Sequence, residues 1–402
     1  MKKMLSLLLV TSVLTASLAA CGGAASSSTA PASSSTAPSS SVPASSASTD
    51  PVKIGAIGPN TGSLAAYGEG VANAIKMAVA EINANGGVLS GRELKVVAYM
   101  DDKADATEAS NAFNNLMSQG VKAVIGSVTS GVTSGLATLA DEEGMLLLTP
   151  TATNDDVTKG YPSVFRACYA DSYQSSICAK FMAESLKVKK VGVLYASGDA
   201  YSMGMADGFK TAAKALGLVI VGEESTGGTS DTDYNAQWAN LKASGAEAVF
   251  APFYYDSVGP YIVPQARAAG FQGAIIGADG YDGTVDMIVH PASQYNGVYF
   301  TNHYAADDPA EKVQKFVKGY EALYKATPNA LAALAYDSIY MLKQAIEAAG
   351  TDDTAAIVKA MTGMSFDGVT GSFTLDENNT PAKSCAIIEI KDGKMVWKDT
   401  VG

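Results

Sequence analysis

VKIGAIGPNTGSLAAYGEGVANAIKMAVAEINANGG, residues 52–87, holds the pattern from which the fold follows. Val52–Ile57 is a short apolar run closed by Gly58-Pro59. A run of this length between breakers fits a strand covered on both faces. A polar turn follows. From Ala66 to Asn83 the residues Ile75, Ala78, Val79 and Ile82 recur at helical spacing, and Asn85-Gly86-Gly87 ends the helix.

The same unit of strand, turn and amphipathic helix repeats along the chain. Strands are predicted at Leu94–Tyr99, Ala123–Gly126 and Met145–Thr149, with helices at Asp105–Gln119 and Gly131–Glu142. It restarts with strands at Lys190–Tyr195, Leu218–Glu223, Ala248–Phe253, Ala274–Gly277 and Val298–Thr301. Helices at Ser172–Ser185, Tyr201–Leu216, Asp233–Ser244 and Asp256–Ala269 alternate with these strands. Three more helices follow, Pro309–Lys325, Leu331–Ala349 and Thr354–Met361. The tail, Gly371–Leu375 and Ala386–Ile390 with the turn Asp392-Gly393, alternates like antiparallel strands. Strand–helix alternation with apolar strands predicts an α/β fold of two doubly wound parallel-sheet lobes. Two such sheets in tandem imply a cleft, with ligands at strand carboxyl ends near helix N-termini.

The first residues read differently. Lys2 and Lys3 precede an apolar stretch, Met4–Ala16, which has the layout of a secretory signal. Leu18-Ala19-Ala20-Cys21, followed by Gly22-Gly23, has the form of a bacterial lipobox. We therefore expect a signal peptide at 1–20 and a lipidated Cys21. Acyl chains there would anchor the protein to a membrane. Residues 21–49 are dominated by Ser, Ala, Thr and Pro and are expected to form a disordered tether.

The net charge of −12 argues against nucleic acid or anionic lipid as a partner. Cys168, Cys178 and Cys385 lack a C-x-x-C spacing and are expected to be small buried hydrophobes. The two histidines, His290 and His303, argue against a zinc site or a histidine-based triad. Gly68-Glu69-Gly70 lacks the third glycine of a dinucleotide loop, and Asp279-Gly280-Tyr281-Asp282-Gly283 lacks the later glutamate of a calcium loop. No metal, cofactor or enzymatic activity is expected.

The predicted strand ends carry hydroxyls, tyrosines and one acid. Gly126-Ser127-Val128-Thr129-Ser130-Gly131 ends one strand and opens a helix, and Thr149-Pro150-Thr151-Ala152-Thr153-Asn154 ends the next. Hydroxyls and N–H groups at a helix start suit a carboxylate. Taken alone they suit helix capping better. Asp279, at the end of Ile275-Ile276-Gly277-Ala278, could hold an ammonium from the opposite side, or serve as a turn aspartate.

With these stretches, Ile54–Pro59, Thr61-Gly62, Ala80–Gly87, Ala123–Ser127, Tyr201–Gly204 and Gln265–Gly270 give the chain a specific resemblance. From about Val52 to Trp397 it resembles branched-chain amino-acid binding proteins of ABC importers, in the type I periplasmic-binding family. The resemblance implies three chain crossings at a hinge. Lobe one would take 52–171 and 302–364, and lobe two 172–301 and 365–402. It implies that Ser130 and Thr153 bind a ligand carboxylate, while the Thr151 carbonyl and Asp279 receive its ammonium. Tyr201 would close over the ligand, with Tyr67 and Tyr254 as aromatic walls. Val128, Thr129 and Leu331 would line the side-chain pocket.

There are departures from the family pattern. Leucine-type binders often carry glutamate at the position of Asp279, Leu331 stands where some members have an aromatic wall, and Thr129 replaces a cysteine of some relatives. The implied partners are an amino acid, ABC permease subunits, and the membrane through the lipid anchor only. The implied state is an extracytoplasmic monomer. A sensor module, or a binder of amide, urea-like or aromatic compounds, is the alternative reading.

Overall fold

The computed structural model describes residues 48–401. The expected signal peptide, Cys21 and the tether as far as residue 47 lie outside the described residues. None of the described helices is long and apolar enough to cross a membrane.

Five strands form the first sheet: β1 (Val52–Gly58), β2 (Leu94–Asp101), β3 (Ala123–Ile125), β4 (Leu146–Thr149) and β5 (Val164–Arg166). Their order is β2-β1-β3-β4-β5, and every pairing is parallel. β3 and β4 are buried at every position because helices cover both faces. The covering helices are α1 (Ala65–Ala84), α2 (Ala106–Ser118) and α3 (Ser130–Glu142). α1 buries Tyr67, Val71, Ile75, Ala78 and Ile82 along one face. It stops where the chain takes left-handed geometry at Gly86 and Gly87. A Cβ on Gly87 would lie 2.1 Å from the Arg92 carbonyl oxygen, so only glycine fits.

The second sheet has seven strands: β6 (Lys190–Ala196), β7 (Val219–Thr226), β8 (Ala248–Phe250), β9 (Ala274–Gly277), β10 (Val298–Asn302), β13 (Cys385–Lys391) and β14 (Lys394–Val401). The intervening β11 and β12 (Ser365–Gly368 and Gly371–Thr374) make a separate hairpin. The order is β14-β13-β10-β9-β8-β6-β7. Its parallel part, β7-β6-β8-β9-β10, repeats the topology of the first sheet. β13 and β14 close the other edge antiparallel, as the alternating tail predicts. Around it pack α4 (Asp171–Lys180), α5 (Ala200–Ala215), α6 (Asn235–Ala243), α7 (Tyr255–Ser257) and α8 (Val263–Ala268). The α4 and α7 helices run on through wide turns at Phe181–Ser185 and Val258–Ile262.

The chain passes between the sheets three times. It leaves the first after Arg166, and leaves the second after Asn302. The later helices α9 (Glu311–Tyr324), α10 (Ala330–Ala349) and α11 (Thr354–Met361) then return to the first lobe. There the Tyr336 and Tyr340 hydroxyls of α10 both donate to Glu81 of α1, at 2.5 and 2.9 Å. The sequence reading assigned everything from 365 onward to the second lobe, but the structure differs. Asp337 of α10 accepts from the Val369 and Thr370 amides at 2.9 and 2.8 Å, fastening the β11–β12 hairpin to the first lobe. Asn379 then pairs with β5, and the chain rejoins the second sheet only at Cys385.

Lys383 lies in this last crossing, buried, and donates to the Thr370 hydroxyl at 2.6 Å. Burial lowers its ammonium to about 8, whereas an unfolded lysine titrates near about 10.4. Between those values the unfolded chain holds a proton that the folded chain has released. This group therefore makes stability rise with pH from about 8 to about 10. Across that window wild type is expected to gain unfolding free energy relative to Lys383→Met, as read by urea denaturation at both ends. A constant difference would contradict the lowered ammonium.

Candidate functional site

The carboxyl ends of β3 and β4 meet those of β8 and β9 across the cleft. Between them lies a small cavity. Its lining is Tyr67, Val128, Thr129, Ser130, Thr151, Thr153, Tyr201, Tyr254, Asp279, Gly280 and Leu331. All the ligand and side-chain-pocket residues singled out in the sequence are thus brought together. Gly280 joins them and was not singled out.

Two loops make the first-lobe wall, and hydroxyl–carbonyl bonds fasten them together. The Thr149 hydroxyl donates to the Ser127 carbonyl at 2.7 Å, and the Thr151 hydroxyl to the Val128 carbonyl at 2.8 Å. The Asn154 amide donates to the Ser130 hydroxyl oxygen at 3.2 Å. Ser127 is held in turn by buried Asp102, which accepts its hydroxyl. Thr151 uses its hydroxyl proton on Val128 and its amide on the Thr149 hydroxyl oxygen, which leaves it only acceptor oxygens, the carbonyl among them, to offer a ligand.

Ser130 is the first residue of α3, and Thr129 before it makes no side-chain cap. The capping alternative is therefore not what the structure shows at this helix. Its N-terminal amides and dipole favour negative charge at the cavity wall. Arg166 props the neighbouring loop from behind. Its buried guanidinium donates to the carbonyls of Thr153 and Asn154 at 2.8 and 2.9 Å, and to the Thr158 hydroxyl at 2.8 Å.

Asp279 faces this wall from the second lobe. Its Oδ1 accepts from Gln174 Nε2 at 2.9 Å and from the Gly280 amide at 3.1 Å, and its Oδ2 lies 3.1 Å from His303 Nε2. The sequence reading missed Arg166, Gln174 and His303. The rings of Tyr201 and Tyr254 stack with centroids 5.1 Å apart, and Tyr67 meets Tyr254 edge-on at 6.3 Å. Burial holds all three phenols well above their usual range, so they stay neutral. The cavity thus has a positive pole at the α3 start, a negative pole at Asp279, and a largely apolar wall between them.

Hydrogen bonds join the lobes around it. The Tyr67 hydroxyl donates to the Gly280 carbonyl at 2.6 Å, and the Tyr255 hydroxyl to the Ser63 carbonyl at 2.8 Å. Asn154 Nδ2 donates to the Ala200 carbonyl at 2.8 Å, and the Ala330 amide to Asp282 Oδ2 at 2.7 Å. Cys168, Cys178 and Cys385 are buried free thiols. Among the described residues no cluster of His, Cys, Asp or Glu has the arrangement of a metal site.

Two α/β lobes hinged by three crossings over a bipolar cavity define a solute-binding protein. The chain belongs to the periplasmic binding protein family, whose model matches residues 51–394. It is similar to Leu/Ile/Val-binding protein homolog 3 of Brucella melitensis, with 34% identity over 86% of this chain and 93% of that one. Among solved structures it resembles the leucine-binding protein LivK of Thermotoga maritima, at 31% identity with a TM-score of 0.81. That match covers 87% of this chain and 98% of that one. It also resembles LivJ of Streptococcus pneumoniae, a branched-chain amino-acid transporter substrate-binding protein solved with isoleucine. There the identity is 32% and the TM-score 0.80, covering 87% of this chain and 99% of that one.

Truncating Arg166 would leave the Thr153 and Asn154 carbonyls with only the Asp171 and Val157 amides and remove charged hydrogen bonds of about 1.5–3 kcal/mol each. Arg166→Ala is expected to lower unfolding free energy by more than about 2 kcal/mol. Arg166→Lys is expected to recover only part of this, because an ammonium cannot fork across the loop. Equilibrium urea denaturation of the two variants reads both effects.

Proposed function

We propose that this protein captures a branched-chain or other hydrophobic amino acid outside the cytoplasm and delivers it to an ABC permease. The observation that carries this reading is the bipolar cavity, with the uncapped start of α3 opposite Asp279. A zwitterion presents its carboxylate and ammonium to such a pair. In this reading the carboxylate takes the Ser130 and Thr153 hydroxyl and N–H groups. The ammonium takes the Thr151 carbonyl and Asp279. Tyr67, Tyr201 and Tyr254 enclose the ligand, and Val128, Thr129 and Leu331 meet its side chain. The names of the relatives support a hydrophobic amino acid.

Binding works by closure, with no covalent step. The bonds that join the lobes around the cavity belong to the closed state, and a ligand touching both lobes favours that state by its differential affinity. The protein acts as a monomer tethered through lipid on Cys21, and the closed form is what the permease receives.

A thermal-shift screen of residues 50–402, refolded to remove carried-over ligand, tests the reading against the twenty amino acids, simple amides and aromatic acids. Leucine, isoleucine or valine well above its dissociation constant is expected to raise the melting temperature by several degrees. Asp279→Ala is expected to weaken that binding by about 2–5 kcal/mol, since the ammonium loses its partner. A shift with amides or aromatic acids and none with any amino acid would replace the proposal.

A further inference from the structure

We propose that His303 is the positioning residue of the amino-group acid, holding Asp279 as a charged acceptor and tying it to the hinge. The inference rests on the reading of Asp279 as the partner of a ligand ammonium. His303 directly follows β10 and opens the second crossing, and its side chain is buried. Its Nε2 faces Asp279 Oδ2 at 3.1 Å. Nε2 is the ring nitrogen that has a partner, and a neutral imidazole that places its N–H there leaves Nδ1 bare. Nδ1 is also buried without a partner, so a second ring proton would find no acceptor. Burial accordingly lowers the imidazole below its usual range, against the pull of Asp279 and with Lys383 opposing protonation as well.

A neutral donor has a specific consequence here. It fixes the direction of the carboxylate without cancelling its charge. A lysine or arginine at this place would compete with the ligand ammonium for the same negative pole. Gln174, the other side chain on Asp279, is likewise a neutral donor.

His303 also connects the acid to the rest of the hinge. Its ring stacks on Tyr169 of the first crossing, with centroids 3.9 Å apart and planes 29° from parallel. The Tyr169 hydroxyl meets Cys385 Sγ at 3.2 Å, where the third crossing enters β13. Asp279 is therefore joined through one imidazole to all three crossings.

The chain has two histidines, and His290 is exposed, so ¹⁵N-histidine spectra separate them readily. In ligand-free protein His303 is expected to show the Nε2–H tautomer, and its Nε2–H resonance is expected to move on adding leucine while His290 stays still. Calorimetry with leucine completes the test. His303→Phe keeps the stacked ring and is expected to weaken binding roughly tenfold, whereas His303→Gln, with an amide N–H in reach, stays within about threefold. In an Asp279→Asn background, His303→Phe is expected to cost no further affinity. If wild type binds leucine but the His303 resonance is unmoved, or the His303→Phe loss persists undiminished with Asp279→Asn, the positioning role is overturned. If wild type gives no heat with leucine, the reading of the site falls and takes this inference with it.

Discussion

The guanidinium of Arg166 is the interaction on which the ligand-facing half of the first lobe depends. It is the last residue of β5, fully buried, and it donates to four consecutive carbonyls from Ala152 to Asp155. Those carbonyls cannot be paired within a sheet, because the loop has already left β4. Two of them also accept main-chain amides, Thr153 from Asp171 and Asn154 from Val157, and the guanidinium supplies the second, charge-assisted donor that ties the four together. With it, the loop is rigid enough to present Thr151 and Thr153. The backbone amide of the same residue donates to the Asn379 carbonyl at 3.2 Å, so the start of the first crossing and the segment leading to the third share one anchor.

The second lobe solves the same problem with neutral groups. Asp279 is oriented by an amide side chain, a main-chain N–H and an imidazole, none of which cancels its charge. The two poles of the cavity thus differ in construction. The positive one is made of helix amides and is as rigid as α3. The negative one is a single carboxylate whose position depends on α4, on its own loop and on the start of the second crossing.

Much of this was legible in the sequence because parallel sheets make long-range placement follow from local pattern. Once β3, β4, β8 and β9 are read as buried strands of two like sheets, their carboxyl ends must share a cleft. Ser130, Thr153 and Asp279 then fall on facing strand ends, whereas Tyr254 entered only through the family resemblance. β5 was not legible, since three residues ending in an arginine carry no periodicity. The β11–β12 hairpin was visible only in part, as the run Gly371–Leu375. Its seat on α10 was not visible, since it depends on Asp337 reaching chain more than thirty residues away. His303 and Gln174 stayed hidden for a related reason. They lie 24 and 105 residues from the acid they serve, and nothing in their own neighbourhoods signals it.

Each of the four hydrogen bonds named as joining the lobes has a main-chain atom on one side: the carbonyls of Gly280, Ser63 and Ala200, and the amide of Ala330. Amino-acid replacement does not delete a main-chain atom. Of the side chains that complete these bonds, Tyr255, Asn154 and Asp282 do not line the cavity, so only Tyr67 serves both the catch and the pocket. Residues such as Leu331 and Val128 take no part in these bonds and can be exchanged to suit a new cargo while the clasp keeps its partners, so a lineage of such proteins can change its diet without reinventing its hinge.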